Sequence, residues 1–316
     1  MLRIRQLKLP VEHSRRDLEQ KIIKTLRIRP EELIRYELIR RSLDARGGEL
    51  KYVYMIDAEV KREPTVLKHC NGHAEKAVRT WYQFPKASAD AKKMQGRPVI
   101  IGAGPAGLFC GWMLAKAGYA PLVLERGEKA EDRARTVEHF WLTGELNERS
   151  NVQFGEGGAG TFSDGKLNTL VKDPVGRNRK VLELFVEADE EILYEQKPHL
   201  GTDELIGIVT YIRKEIERLG GEVRFHCQMT DLLIQNGQIH GVQATDLRTG
   251  EMEEIAVGQV VLAVGHSARD TFSMLKTRQI PMRAKPFAVG VRMEHPQEMI
   301  NISQYGADYP SFLPSA

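Results

Sequence analysis

A short glycine-rich segment has the residue types and spacing of a turn that binds a nucleotide pyrophosphate. It follows a predicted short strand over residues 97–101, precedes a helical pattern over residues 108–117, and consists of Gly102, Ala103, Gly104, Pro105, Ala106 and Gly107. Gly102 permits the tight turn, Gly104 lets the backbone approach the pyrophosphate, and Gly107 lets helix and strand pack closely. The amino end of the helix then offers unpaired N–H groups and a partial positive charge to the phosphates.

An acidic residue stands where such a site needs a partner for the ribose. Glu125 ends the next predicted strand, residues 121–125, and lies 18 positions after Gly107, near the place of a carboxylate that accepts from ribose hydroxyls. Arg126 follows and could accept a 2′-phosphate if the site held NADP. The Pro-Ala pair inside the glycine motif is more familiar from FAD sites, so FAD is the predicted cofactor.

Residues 155–165 form a second glycine-rich segment, with five glycines in eleven residues. This density indicates a backbone that closely approaches a flat or anionic group, although a flexible surface loop would have the same composition. The segment supplies four candidate cofactor contacts, which are Gly157, Gly158, Gly160 and Thr161.

A third candidate region lies where the predicted buried strand of residues 260–264 stops. Open α/β sheets bind ligands at the carboxyl ends of their strands, so Ala263, Gly265 and His266 are predicted to lie near the cofactor. His266 is also a candidate catalytic acid or base. A structural or cofactor-adjacent role for this histidine is the alternative.

The segment from His69 to His73 contains two histidines and Cys70, which are possible metal ligands. Three ligands without a partner elsewhere fall short of a zinc site. A turn that ends a helix, with incidental histidines, explains the segment better, and no metal is predicted.

The elements around these candidates alternate between strands and helices. A strand–helix–strand unit is followed by a predicted amphipathic helix over residues 203–219, a strand over residues 222–226 and a hairpin that turns at Asn236 and Gly237. Residues 99–115 carry no charge and approach the length of a bilayer span. Their glycines and proline fit a buried strand and a core helix better, and no membrane span is predicted.

The first 85 residues have the pattern of a small α+β module. Residues 2–9 alternate as in a short strand, and Ser14, with Asp17 three positions later, marks the start of an amphipathic helix. Turn residues near position 46 separate the two strands of a predicted hairpin, although the first of these also fits helical spacing. A second helix is predicted around residues 73–81. The resulting order of strand, helix, hairpin and helix corresponds to about half of a ferredoxin-like sandwich plus one strand pairing.

Charge separates this module from the remaining chain. Residues 1–98 hold 23 Lys and Arg against 13 Asp and Glu, a charge of +10, and the remaining residues carry −7, for a net charge of +3. The basic residues alternate with acids and lack the aromatic pairs of an RNA-binding motif, so a solvated or docking face is favoured over a nucleic-acid partner. Four segments follow: a module over 1–85, a linker over 86–97, a dinucleotide-binding domain over 98–282, and the start of a substrate-side domain over 283–316.

Composition excludes several classes of protein. The chain has 316 residues, of which 41% are hydrophobic and 28% charged, so a disordered or collagen-like chain is excluded. Its three cysteines, Cys70, Cys110 and Cys227, form no CxxC pair, which argues against a secreted disulfide framework. No signal peptide is visible, and a cytoplasmic location is expected.

Several motifs together carry a family resemblance. Gly102–Gly107 with Leu124–Gly127 resembles the FAD-binding start of the two-dinucleotide-binding-domain, glutathione-reductase-like flavoproteins. A more specific group, the bacterial "uncharacterised FAD-dependent dehydrogenase" family, resembles this sequence in residues 155–167, 262–270 and 285–297. Members of that family also carry a basic N-terminal module that ends near a segment similar to Ser42–Arg46. The resemblance covers essentially the whole chain.

The resemblance implies a fold, a cofactor and several contacts. It implies an α/β, Rossmann-like FAD-binding domain with an antiparallel insertion, preceded by the small α+β module. The 155–165 loop would follow the pyrophosphate towards the flavin, where Lys166 could stabilise negative charge on the reduced ring, and Met229 would lie near the adenine. Members of the family continue well past the equivalent of residue 316, so a C-terminally truncated flavoprotein is expected.

The predicted function is that of an FAD-dependent oxidoreductase that exchanges a hydride between flavin and a small substrate, with NAD(P)H or another electron donor or acceptor as the second partner. The alternative is a truncated or degenerate flavoprotein that keeps the ADP-binding fold without activity. A third hypothesis is a flavoprotein whose basic module docks RNA.

Overall fold

The computed structural model describes residues 1–46, 49–85, 96–162, 173–185, 202–287, 289–291 and 293–316. Contacts between residues divide the chain into two compact units. The first comprises Met1–Gln83, Leu167–Pro198 and Pro286–Ala316, and the second comprises Phe84–Lys166 and His199–Lys285. Most of the predicted linker, residues 86–95, lies outside the described residues, and so does the candidate residue Lys166.

The first unit begins with a strand–helix–strand–strand–helix–strand order. The elements are β1 (Leu2–Pro10), α1 (Arg15–Leu26), β2 (Leu33–Asp44), β3 (Lys51–Val60), α2 (Glu63–His69) and β4 (Ala74–Lys76). The strands form one antiparallel sheet in the order β2-β3-β1-β4. This element and strand order is that of a ferredoxin-like sandwich, so the predicted α+β, ferredoxin-like class of the module is confirmed. Later segments of the unit add helices α5 (Arg177–Phe185) and α8 (Gln297–Tyr305).

Local sequence signals account for the start of α1. The Ser14 hydroxyl accepts a hydrogen bond from the Asp17 backbone N–H, and the Asp17 carboxylate accepts one from the Ser14 backbone N–H, so the two residues form a capping box. One face of the helix then buries Leu18, Ile22 and Leu26 against the sheet. The predicted helix start and apolar stripe are both confirmed.

The helix predicted around residues 73–81 is wrong. Residues 74–76 form β4, in which Ala74 lies opposite Ile4 and Lys76 opposite Leu2 of β1. The second helix, α2, comes earlier and has Pro64 in its first turn, where the missing proline N–H leaves no hydrogen bond unmade. Strand pairing with β1 therefore outweighs the local helical pattern. The helical alternative for the first hairpin strand is likewise excluded, because that segment is β2.

The second unit contains a parallel sheet and an antiparallel insertion. Its elements are β5 (Val99–Ile101), α3 (Pro105–Lys116), β6 (Leu122–Leu124), α4 (Ala130–Thr143), α6 (Thr202–Arg218), β7 (Glu222–Arg224), β8 (Cys227–Gln235), β9 (Gln238–Asp246), β10 (Met252–Ala256), β11 (Val260–Leu262) and α7 (Arg269–Thr277). The parallel sheet has the order β11-β5-β6-β7, and the insertion has the order β10-β9-β8. The predicted Rossmann-like domain with an antiparallel insertion is confirmed.

Close packing fixes α3 on this sheet. A Cβ atom on Gly111 would lie 3.0 Å from Cδ1 of Ile216 in α6 and 3.2 Å from Cγ2 of Val123 in β6, so a larger residue would push these side chains aside. The uncharged run of residues 99–115 is thus divided between the buried strand β5 and the helix α3. Among the described helices, none is long and apolar enough to cross a membrane.

Candidate functional site

The first glycine turn joins β5 to α3 under tight steric limits. Gly102 has a φ of +102°, and a Cβ atom there would lie 2.6 Å from the carbonyl oxygen of Ala263. Its N–H donates to the carbonyl oxygen of Leu124 at 2.8 Å. A Cβ atom on Gly107 would overlap the carbonyl oxygen of Gly102 at 1.8 Å. Both positions require glycine, and together they bend the chain sharply from strand to helix.

The amino end of α3 faces open space. Gly104 is the N-cap residue, and a Cβ atom added to it would meet no protein atom within 4 Å. Pro105 and Ala106, which begin the helix, are exposed. Since glycine contributes no side-chain oxygen to cap the helix, the N–H groups of the first turn remain available to an anion. The residues therefore fit a dinucleotide pyrophosphate at this position.

Glu125 is buried at the end of β6 and ties the turn in place. Its Oε2 accepts a hydrogen bond from the backbone N–H of Ala103 at 2.7 Å, and its Oε1 accepts one from the backbone N–H of Gly127 at 2.8 Å. The carboxylate is 5% exposed. A carboxylate oxygen can accept more than one hydrogen bond, so this residue has capacity left for a ribose hydroxyl.

The second glycine segment lies directly against the first. The N–H of Gly157 donates to the carbonyl oxygen of Ala103 at 2.8 Å. A Cβ atom on Gly158 would lie 3.1 Å from Cδ of Pro105 and 3.5 Å from Cα of Gly104. Two glycine turns that are far apart in the sequence thus form one surface around the amino end of α3.

Two further candidates in this segment have different surroundings. Thr161 is buried, and its hydroxyl would be 2.0 Å from a Cβ atom on Gly157, so the threonine packs against that turn. Gly160 is exposed, with no protein atom within 4 Å of an added Cβ atom. Residues 163–172 lie outside the described residues.

Arg133 on α4 is fully buried and holds the second glycine segment from below. Its guanidinium donates to the backbone carbonyls of Asn151 at 2.8 Å, Val152 at 3.0 Å and Glu156 at 2.6 Å. Burial lowers the pKa of this guanidinium to about 10. A Cβ atom on Gly155 would lie 2.5 Å from Cδ of Arg133. The loop is therefore held in place by hydrogen bonds from a buried guanidinium.

Glu156 completes this buried cluster. Its side chain accepts from the backbone N–H of Ala130 at 2.7 Å and from Nε of Arg213 at 2.8 Å, and burial raises the pKa of its carboxyl group. Arg213 lies on α6 and also contacts Glu131. Sequence reasoning missed these residues, although Arg133 shares a helix face with the buried Ala130 and Val137, a spacing that could have shown it.

Arg126 is engaged by groups of the protein. Its Nη2 lies 3.0 Å from Oδ2 of Asp270 and 3.4 Å from the hydroxyl of Thr271, both in the first turn of α7. Its guanidinium also lies over the ring of Phe154, 5.4 Å from the centroid. Arg126 therefore contacts side chains of α7, and its guanidinium joins the end of β6 to that helix.

The remaining candidates belong to two sheets, because Ala263, Gly265 and His266 follow β11 whereas Met229 lies in β8. The N–H of Ala263 donates to the carbonyl oxygen of Ile101 at 2.8 Å, which places Ala263 beside the first glycine turn. Gly265, with a φ of +69°, and His266 follow and are exposed, and the imidazole of His266 contacts the hydroxyl of Ser267. The side chain of Met229 is in the hydrophobic core, which leaves its backbone for any contact with adenine.

The cysteines do not form a redox disulfide. Cys70 and Cys227 are buried, Cys110 is half-buried, and all three are free thiols. Burial raises the pKa of the Cys110 thiol and raises that of Cys227 to about 11. Thiols with raised pKa values are poor nucleophiles. Among the described residues, no group of histidines, cysteines and acids is arranged to hold a metal ion.

Comparison with known proteins identifies relatives for both parts of the chain. Residues 1–59 match a domain of unknown function (DUF8436). A protein of Clostridium beijerinckii (strain ATCC 51743 / NCIMB 8052), described as "Uncharacterized protein", is 41% identical over 313 residues, which are 98% of this chain and 57% of the relative. The chain therefore spans somewhat more than half the length of that relative.

Two solved structures have a partly similar backbone. Thermovibrio ammonificans THI4 is 19% identical with a TM-score of 0.40, over 59% of this chain and 64% of that one. The glycerol-3-phosphate dehydrogenase of Bacillus halodurans is 14% identical with a TM-score of 0.36, over 54% of this chain and 34% of that one. Residues 96–281, which contain the two glycine turns and Glu125, match the model of the pyridine nucleotide-disulphide oxidoreductases. The chain belongs to this oxidoreductase family.

Proposed function

We propose that the second unit binds FAD and that the protein is an FAD-dependent oxidoreductase acting on a small substrate. The observation that carries the proposal is the surface formed by Gly104, Gly157 and Gly158 around the uncapped amino end of α3, with Glu125 buried beneath it. Such a surface suits the two phosphates and the ribose of a dinucleotide. Bound FAD would supply hydride transfer between its ring and the substrate.

Each group in the site has a distinct task under this proposal. The first-turn N–H groups of α3 bind the pyrophosphate, and the Glu125 carboxylate accepts from a ribose hydroxyl while it also holds the turn. Thr161 and the buried Arg133 keep the second glycine segment against the first. The backbone at Ala263, Gly265 and Met229 borders the cofactor at the ends of β11 and β8.

Two side chains are assigned roles near the flavin ring. The exposed imidazole of His266 could exchange a proton with substrate or solvent at the end of β11. Lys166 follows the second glycine segment in the chain and is proposed to stabilise negative charge near the ring. NAD(P)H is the proposed electron partner. The free, buried cysteines disfavour a disulfide as an electron relay within this chain.

The charged face of the first unit favours an internal role over nucleic-acid binding. Arg3 and Arg79 both bind the fully buried Asp57, with N–O distances of 2.7 and 2.9 Å. On the same sheet Arg35 pairs with Glu59. These three guanidinium groups are matched by acids of their own unit, so they offer no unpaired positive charge to a phosphate backbone.

The experiment is to express residues 1–316 and to record the visible absorbance spectrum of the purified protein before and after addition of FAD. A flavin spectrum that changes on binding, and thermal stabilisation by FAD, are the expected results. Bleaching by NADH or NADPH would then identify the electron partner. A colourless protein that FAD does not stabilise would contradict the proposal and favour a degenerate flavoprotein fold.

A further inference from the structure

The residue after Glu125 lies where Rossmann-like sites distinguish a ribose with a 2′-phosphate from a ribose with a free 2′-hydroxyl. In Rossmann-like sites an arginine near this point accommodates the 2′-phosphate of NADP. Arg126 has the right residue type and place for that task, at the carboxyl end of β6. Its surroundings therefore decide which adenine nucleotide the site accepts.

The guanidinium of Arg126 is already committed to a carboxylate. Nη2 contacts both oxygens of Asp270, at 3.1 and 3.0 Å. Asp270 is itself positioned, because Nε2 of Gln228 donates to its Oδ2 at 2.8 Å and because it lies in the first turn of α7, where a negative charge is favoured. The ring of Phe154 covers the guanidinium at 5.4 Å. Arg126 is thus held by Asp270 and by the ring of Phe154, and Gln228 of β8 fixes Asp270 in turn.

The charges of this cluster oppose a second phosphate. Glu125 and Asp270 each contribute a negative charge and Arg126 one positive charge, so the three side chains carry a net charge of −1. A phosphate monoester carries about −1.5 to −2 at neutral pH. Because Asp270 already neutralises the charge of Arg126, the approaching phosphate would gain little attraction from the guanidinium and would meet two carboxylates. A ribose hydroxyl meets no such repulsion and can donate to Glu125.

We propose that Asp270 is a specificity-determining residue that restricts the site to adenine nucleotides with a free 2′-hydroxyl, such as FAD, by neutralising Arg126. This inference rests on the proposed function, since it concerns the same dinucleotide site. It assigns a role to a side chain 145 positions after Glu125, outside every glycine motif.

The test compares two ligands that differ only in the 2′-phosphate, ADP and 2′-phospho-ADP, by calorimetric titration of residues 1–316. The wild-type chain should prefer ADP. Asp270→Asn should strengthen binding of 2′-phospho-ADP by about tenfold, because Arg126 is released and one negative charge is lost, while ADP binding changes by less than about twofold. Adding Arg126→Gln to Asp270→Asn should cancel the gain.

Asp231→Asn is the matched control. Asp231 binds Arg278, just after the other end of α7, with a distance of 2.7 Å from Nε to Oδ1, so this variant also removes an ion pair beside α7 but leaves Arg126 untouched. It should leave the preference for ADP unchanged. An unchanged preference in Asp270→Asn, with ADP still bound, would overturn only the role of Asp270. Failure of the wild-type chain to bind either nucleotide would overturn the dinucleotide site and this inference together.

Discussion

The Oε2 atom of Glu125 accepts a hydrogen bond from the backbone N–H of Ala103 at 2.7 Å, so the acid that ends β6 is bonded directly to the glycine turn that follows β5. Both residues are buried. The carboxylate therefore fixes the turn, and it is also the group that the proposed function assigns to the ribose. A substitution of Glu125 should therefore affect the stability of the turn as well as nucleotide binding.

We expect Glu125→Gln to destabilise the protein by about 1–3 kcal/mol, because an amide NH₂ group would face one of the two backbone N–H donors and leave it unsatisfied. Urea unfolding followed by circular dichroism measures this. Glu254→Gln, at an exposed position on β10, is the control and should be neutral. Equal stability of the two variants would show that the carboxylate does not hold the turn.

Gly104→Asp separates binding from folding. Aspartate is a favoured N-cap residue, and its Cβ atom meets no protein atom, so the free energy of unfolding should change by less than about 0.5 kcal/mol. Its charge and bulk would occupy the pyrophosphate position, and FAD or ADP binding should weaken at least tenfold, roughly the effect of one repelling charge.

Gly207→Asp provides the comparison for this variant. Gly207 is also exposed, with open space around an added Cβ atom, but it lies within α6. Calorimetric titration should give the wild-type affinity for ADP. If Gly104→Asp also binds ADP normally, the amino end of α3 is not the phosphate site.

Arg133→Met should cost roughly 3–5 kcal/mol, because it removes a buried charge that bonds three backbone carbonyls and leaves Glu156 without a second nearby cation. Arg135→Gln, on an exposed position of the same helix, should cost no more than about 1 kcal/mol. Thermal unfolding measures both. Similar losses in the two variants would contradict the structural role of the buried guanidinium.

Stability in acid should depend on Glu32. The backbone N–H of Arg29, followed by the guanidinium of Arg62, lowers the pKa of this carboxyl group from 4.5 to about 2. Since the folded pKa is below the unfolded one, the stabilisation is present above pH 4.5 and is lost as the pH falls towards 2. The difference in Tm between the wild type and Glu32→Gln should therefore shrink over that range.

Glu31→Gln is the control for this pH series, because Glu31 is exposed and precedes Glu32 in the same turn. Its Tm difference from the wild type should stay nearly constant between pH 4.5 and 2. A constant difference for Glu32→Gln as well would mean that the carboxylate contributes nothing through its ionisation.

Cys227 should resist alkylation in the folded protein. Burial raises the pKa of its thiol from 9.0 to about 11, which reduces the thiolate fraction near neutral pH by roughly 100-fold. Peptide mapping by mass spectrometry after iodoacetamide treatment measures the rate at this residue. Urea should restore the rate of an ordinary cysteine. Fast reaction without urea would contradict the burial of the thiol.

Several features follow from short stretches of sequence. The glycine turn around Gly102, the acid at Glu125 and the capping box of Ser14 and Asp17 are predictable because their interactions, or the backbone geometry they require, involve nearby residues or a familiar strand–helix–strand spacing. The edge strand β10 was not predicted, since its mostly exposed, charged residues lack alternation and are identified as a strand only by pairing with β9.

Only the tertiary structure decided the remaining features. The replacement of the predicted helix near residue 74 by β4 depends on pairing with β1, and the burial of Arg133 depends on carbonyl groups about twenty residues later. The pairing of Arg126 with Asp270 joins residues 144 positions apart. A local sequence pattern indicates secondary-structure propensity and burial. It does not show which distant residue a charged side chain will contact. In this protein the residues of the first glycine turn can be found from the sequence, whereas the distant groups that support it are found from the fold.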